Sequence, residues 1–432
     1  MTHLPHRPDC DRPRDVLPRR RGVRAGRALL GAGWILASVA LAAPADPGVF
    51  RKVVRRQGDD GVHAFRIPGL ATTPKGTLIA AFNVRHGTLL DLPADADIAI
   101  MRSTDDGTTW SPMKVIIDFD KNEPGSMGNG VGDPCVLVDR QTGTILVAGL
   151  NTRGAPPGKT AAQPLLHTLV LTKSVDDGLT WSPPVDITPQ VQHPDWKKTL
   201  VGPGAGIQLR DGTLVIPAQY QPKPEVVGKR YAAKTSPDAD ALEQLRIADR
   251  ELPKHACFIY SRDGGKTWKT SPTAIPGDLR TSEAQAVELA DGSLLLSIRN
   301  HDPSKRRVWS RYRWQDDIGA GKWSEPWFVV PDPTCQASLL RHPSGVLLFS
   351  NPNSPTERVA MTVRASHDDG RTWNEGRLVD GRKSGYSCMT LLRDGRIGLL
   401  YEGGDVRPPE TLTFVRFPLS WITAADAAAP KR

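Results

Sequence analysis

At 432 residues the chain is long enough for two domains or for one large all-β domain. Its 40 glycines and 38 prolines are dispersed rather than clustered, which fits many short strands and turns and excludes a collagen-like or disordered chain. Of the formal charge of +9, eight arginines and three aspartates within residues 1–27 supply +5; the remaining +4 or so is too small and too scattered to point to nucleic acid, although it suits a small anionic substrate.

Taken in chain order, the first predicted element is not part of a fold. Behind the basic segment stands an uncharged run over residues 28–43 (ALLGAGWILASVALAA), followed by Pro44-Ala45-Asp46. This order predicts an export signal over 1–43 and a periplasmic or secreted product. The run has 16 residues, fewer than the roughly 20 that span a bilayer, so an uncleaved anchor is only the alternative. Arg19-Arg20-Arg21 raises twin-arginine export, but general secretion is the simpler reading.

From residue 44 onward two repeats interleave. A turn signal precedes a short apolar run six times: PKGTL at 74–78, QTGTI at 141–145, RDGTL at 210–214, ADGSL at 290–294, PSGVL at 343–347 and RDGRI at 393–397. Each predicts a hairpin turn feeding an inner strand. Six such signals, 50 to 80 residues apart, predict six four-stranded units and hence an all-β, six-bladed β-propeller over 44–432. The second repeat is the octapeptide S-x-D-x-G-x-T-W, found at 103–110, 174–181, 261–268 and 366–373. Its aspartate can accept backbone N–H groups two residues on, its glycine supplies a positive φ, and its tryptophan anchors the turn on an apolar layer. The octapeptides are therefore scaffold, and Asp105, Asp176, Asp263 and Asp368 are expected at the blade periphery.

Two segments depart from the pattern. Residues 222–256 are charged and contain Asp240-Ala241-Leu242-Glu243-Gln244-Leu245-Arg246-Ile247, a short helix within an insertion. The alternating run Thr411-Leu412-Thr413-Phe414-Val415-Arg416-Phe417 is a terminal strand that would close the ring against residues 49–54. Cys135, Cys257, Cys335 and Cys388 show no metal or disulfide spacing, so buried thiols are expected. The ten histidines form no ligand-like pair, and there is no phosphate-binding or dinucleotide fingerprint, so neither a metal nor a cofactor is called for.

Phe65-Arg66-Ile67-Pro68 upstream of repeated S-x-D-x-G-x-T-W boxes resembles the bacterial sialidases, or neuraminidases, and the likeness covers essentially the whole of 44–432. That family implies a six-bladed propeller and an exo-α-sialidase acting on sialylated glycoproteins, glycolipids or oligosaccharides, here as a monomer. The resemblance assigns Arg66, Arg299 and Arg358 to the sugar carboxylate, which guanidinium forks can pair bidentately. Arg364 lies close to Arg358 and competes for the third place. Arg85 matches an additional pocket arginine, and Glu402 a carboxylate holding the first one. Tyr386 matches the nucleophile and Glu283 the base that activates it; a neutral phenol approaches a carboxylate-bearing carbon more easily than an anion would. Asp91 matches the acid/base, with Asp95 and Asp97 as competitors. The rival readings are a non-catalytic glycan-binding propeller, a trans-sialidase or intramolecular variant, and preference for a related nonulosonic acid.

Overall fold

Twenty-six short strands and very little helix make up the described part of the chain, residues 48–120, 129–153, 166–223, 253–273 and 279–428 of a computed structural model. The export segment expected over 1–43 and the helix expected at 240–247 lie outside the described residues. After β1 (Phe50–Arg56), the first unit is an antiparallel sheet of β2 (Ala64–Thr72), β3 (Leu78–Arg85), β4 (Ala96–Ser103) and β5 (Lys114–Ile117). The second has β6 (Asn129–Val138), β7 (Ile145–Arg153), β8 (Leu166–Ser174) and β9 (Val185–Asp186), and is followed by the one-turn α1 (Thr188–Val191). The third holds β10 (Trp196–Val201), β12 (Ile207–Gln208), β13 (Leu214–Pro222), β14 (His255–Ser261) and β15 (Lys269–Thr270), while β11 (Gly204–Ala205) crosses to pair in parallel with β6. The fourth has β16 (Thr281–Glu288), β17 (Leu294–Asn300) and β18 (Arg306–Arg313), edged by β19 (Lys322–Trp323) and β20 (Trp327–Pro331).

The last two units share a strand. β21 (Ser338–Arg341) pairs with β22 (Leu347–Pro352), which pairs with β23 (Val359–Ser366), which pairs with the first half of β24 (Arg377–Leu391); its second half pairs with β25 (Ile397–Gly404). β26 (Thr411–Phe417) then pairs with β1 from Phe50↔Arg416 to Arg56↔Thr411, so the two ends of the described chain close one blade. α2 (Leu419–Ala428) follows. The result is a six-bladed propeller, as the turn spacing predicts. The six turn glycines all have positive φ, but the apolar run after each is the second strand of its blade. The strand before the turn packs at the centre, and those central strands carry the polar residues described below. Buried apolar layers lie between neighbouring blades, such as Phe82 with Phe414 between blades one and six and Leu146 with Ile259 between two and three.

The four octapeptides adopt one closed turn at the outer corner of a blade. In the first, the Asp105 carboxylate accepts Thr109 N–H at 2.8 Å and the Thr109 hydroxyl at 2.6 Å. The Ser103 hydroxyl accepts Gly107 N–H, and Trp110 Nε1 donates to Gly107 O at 3.1 Å. The aspartate thus reaches four residues on, not two, because consecutive left-handed residues (Asp106 and Gly107) fold the chain back beneath it. Each turn also sits on the preceding blade. Gly107 lies against the Phe414 ring, Gly265 against Leu146 and Gly370 against Leu295, while Asp177 accepts Thr77 Oγ1 at 2.6 Å and Arg102 Nη2 at 2.9 Å. The repeat is therefore a clip between blades as well as a turn.

Gly107 and Gly395 separate these two duties, since φ is +82° at the first and +83° at the second. A Cβ at Gly395 meets nothing, whereas one at Gly107 falls on the Phe414 ring. Gly395→Ala should cost about 1–2 kcal/mol for the left-handed backbone alone. Gly107→Ala should cost a further 1–3 kcal/mol, roughly, for overpacking, read as the difference in urea unfolding free energy.

Candidate active site

Four central strands break register at the same level of the propeller. The irregularities fall between Arg66 and Gly69 in β2, Gly132 and Cys135 in β6, Thr281 and Ala284 in β16, and Ser384 and Ser387 in β24. A bulge re-aims a side chain that regular alternation would send into an interblade layer. Here the bulges deliver Ile67 and Asp133, both with positive φ, together with Glu283 and Tyr386. All four line one cavity of about 540 Å³ to which every blade contributes.

At its floor the Tyr386 hydroxyl donates to Glu283 Oε1 at 2.5 Å, and Arg299 Nη1 donates to Glu283 Oε2 at 2.7 Å and to the Tyr386 oxygen at 3.0 Å. The ring rests on Ile67 and Cys335, with the Arg66 guanidinium 5.5 Å and the Arg358 guanidinium 5.7 Å from its centroid. Burial pushes the phenol well above its usual range and Glu283 adds to this, against Arg299 and Arg358. Burial also raises the Glu283 carboxyl, but Arg299 and the Tyr386 hydrogen bond outweigh it and hold the group below the ordinary range. The pair therefore rests as a neutral phenol on an ionised carboxylate.

Beneath them Glu402, with none of its side chain exposed, accepts Arg66 Nε at 3.1 Å, Ile67 N–H at 2.8 Å and Tyr386 N–H at 3.1 Å. Gly385 stands where any Cβ would fall on the Glu402 carboxylate. Burial opposes the charge on Arg66, and Glu402 more than restores it.

Near the mouth, Arg85 donates to Asp91 Oδ1 at 2.9 Å and to the carbonyl oxygens of Leu89 and Leu90, fixing the loop that carries Asp91. Asn83 orients Arg85 by accepting its Nε at 3.0 Å. The Asp91 side chain is 84% exposed, and Arg66 Nη1 lies 3.8 Å from it. Desolvation by its surroundings raises its pKa, but Arg85 and Arg66 outweigh this and hold it low.

The structure separates the competing residues. Asp91 lines the cavity; Asp95 and Asp97 do not, and Asp97 is taken by His86 Nε2 at 2.8 Å. Arg358 lines it, with Nη2 on Thr334 O at 3.2 Å, whereas Arg364 is buried away from it against Asn351. The octapeptide aspartates are remote from it. Sequence reasoning missed Asp133, whose carboxyl is pushed up to about 6, first by burial and then by Glu283 and Asp91. The signal available was an Asp-Pro step inside an otherwise apolar strand. All four described cysteines are free and buried, and among the described residues no three His, Cys, Asp or Glu side chains group as metal ligands.

Residues 93–399 match the family described as the BNR repeat-like domain. The chain is 37% identical over 370 residues to a sialidase of Bacteroides fragilis, covering 81% of this chain and 62% of that one. To a sialidase of Micromonospora viridifaciens it is 34% identical over 440 aligned positions, 94% of this chain and 61% of that one. The chain thus spans about three fifths of the length of these two relatives. An exo-alpha-sialidase of Aspergillus fumigatus is 30% identical over 400 residues, 84% and 86% of the two chains. Among solved structures, the Hadza microbial sialidase Hz136 is similar with a TM-score of 0.71 at 35% identity, covering 86% of this chain and 69% of that one.

Two substitutions test this geometry. Glu402→Gln leaves the Arg66 guanidinium without its buried counter-charge and should cost about 3 kcal/mol in urea unfolding, toward the low end because Asp91 and the cavity partly compensate. The Asp133 carboxyl has its folded pKa near 6, above the ordinary 3.8, so the folded state keeps a proton that the unfolded chain releases. Its stabilising share is full below about pH 4 and lost as the pH rises through 6. Asp133→Asn should therefore raise the unfolding midpoint at pH 7 relative to the parent by more than it does at pH 4; equal increments would contradict the assignment.

Proposed function

The chain belongs to the sialidase family of BNR-repeat propellers, and from that premise we propose that it is a retaining exo-α-sialidase, releasing terminal α-linked sialic acids from glycoproteins, glycolipids or oligosaccharides. The observation that carries the reading is the 2.5 Å hydrogen bond from Tyr386 to Glu283 inside a ring of guanidinium groups. A phenol is a poor nucleophile until a base removes its proton, and Glu283 is ionised and in place to do so. The cations around the ring stabilise the phenolate as it forms.

Arg66, Arg299 and Arg358 converge from blades one, four and five and would hold the sugar carboxylate above Tyr386. Glu402 keeps Arg66 charged and oriented, so little reorganisation is needed on binding. The Tyr386 oxygen then bonds to the anomeric carbon while its proton passes to Glu283. Asp91 protonates the departing glycosidic oxygen as that bond breaks. In the second half Asp91 takes a proton from water, whose oxygen attacks the anomeric carbon, and Tyr386 leaves with the proton returned by Glu283. In the free protein Asp91 is held low by Arg85 and Arg66. A substrate carboxylate on Arg66 weakens that hold and raises the Asp91 pKa toward what a general acid needs.

Release of 4-methylumbelliferone from its α-sialoside, with the product anomer followed by proton NMR, tests the reading; a folded protein without turnover would sink it. Tyr386→Phe should lower kcat by about 10²–10⁴, the scale of losing an activated group. Asp91→Asn should lose about as much on 3′-sialyllactose, but far less on the umbelliferyl sialoside, whose leaving group hardly needs a proton. Equal losses on the two substrates would remove Asp91 from the acid role.

A further inference from the structure

The cavity carries more positive charge than a single sugar carboxylate accounts for. Seven lysine or arginine and three acidic side chains line it. Arg66, Arg85 and Arg299 each have an acidic partner, Lys198 is engaged as well, and Arg358 lies over the Tyr386 ring. Lys254 and Arg280 are different: both are half-buried in the cavity wall, and among the described residues neither side chain makes a contact ion pair or hydrogen bond, although the Lys254 charge reaches Asp91 and Asp133. A partly dehydrated cation without a partner is a local cost that an anionic ligand would offset.

Their placement is fixed by backbone pairing. Lys254 stands just before β14, and its carbonyl accepts Thr281 N–H at 3.0 Å; Arg280 stands just before β16, and its carbonyl accepts His301 N–H at 3.0 Å. The two residues therefore enter the cavity from neighbouring strand starts in blades three and four, next to Ser282 and Glu283. Arg280 directly precedes the strand that carries Glu283, and the Lys254 charge reaches Asp91, the group expected to face the departing sugar. His301 adds no charge there: burial, then Arg299, push it down to about 3, and its Nε2 is 2.8 Å from the Ser282 hydroxyl. What remains beyond the arginine triad is a pair of cations with no carboxylate in contact among the described residues, one of them within reach of Asp91 and Asp133.

We propose that Lys254 and Arg280 form a second anion subsite of this cavity, which takes an acidic group on the sugar to which the terminal sialic acid is attached. The inference rests on the sialidase reading and deepens it by naming a substrate class, sialosides with an anionic aglycone. The shared chemistry is a fixed negative charge, which either the carboxylate of a second sialic acid or a sulfate ester supplies.

The experiment compares the parent with Lys254→Gln/Arg280→Gln on three substrates: 3′-sialyllactose, the α2,8-linked sialic acid dimer and 6-sulfo-3′-sialyllactose. The parent-to-variant ratio of kcat/KM is read for each, so that linkage differences cancel. A ratio of about ten or more on the dimer, the sulfated substrate or both, with sialyllactose within about twofold, is the expected result, and the responding arm identifies the anion. The ratio should also fall as salt rises from about 50 to 300 mM, as expected of partly screened charges. Equal ratios on all three substrates would overturn the subsite. If the parent turns over none of them, the catalytic reading fails separately; calorimetry with the dimer and the sulfated ligand then reads the subsite, and unchanged affinity in the variant overturns it.

Discussion

One buried carboxylate holds the centre of this molecule together. Glu402 has no contact with solvent, yet it accepts hydrogen bonds from the Arg66 side chain and from the backbone N–H groups of Ile67 and Tyr386. Those two N–H groups sit in bulges of different strands, β2 and β24, where no ladder partner is available to them. The carboxylate thus satisfies donors that bulging would otherwise orphan, and it neutralises an arginine that burial would penalise. Gly385 follows as a necessity, because any side chain there would occupy the space of the carboxylate.

The bulges divide the protein into two regimes. Outside them, apolar residues fill the layers between blades, with the octapeptide turns clipped over the outer edge. Inside them, alternation fails in four central strands, and Ile67, Asp133, Glu283 and Tyr386 come to line one cavity. A rigid periphery lets the centre carry unusual backbone and dense charge, since blades that pack on both neighbours cannot relax independently.

Charge at the centre is graded. Tyr386 and Glu283 rest as phenol and carboxylate, with Arg299 bridging both. Asp91, at the open mouth, is held ionised by Arg85 and Arg66 until something else claims those cations. Asp133, enclosed with two other carboxylates, is instead pushed toward its neutral form. Lys254 and Arg280 extend the positive field along the wall of blades three and four. Three aspartate or glutamate side chains in one cavity thus have different proton affinities, set by their distance from guanidinium groups and from water.

The sequence by itself determined what depends on neighbours along the chain. The S-x-D-x-G-x-T-W turns, the positive-φ glycines of the hairpins and the alternating strands are local chemistry, and their spacing was enough for six blades; the pairing of β26 with β1 followed only from the need to close the ring. Resemblance then pointed to Arg66, Arg299, Arg358, Glu283 and Tyr386, which share one cavity. Only the tertiary structure separated Asp91 from Asp95 and Asp97, turned Arg364 away while Arg358 faced inward, and brought in Asp133, Lys254 and Arg280. The reason is physical. Alternation along a strand states which side chains share a face, but a bulge resets it, and only closure of the ring decides which faces meet.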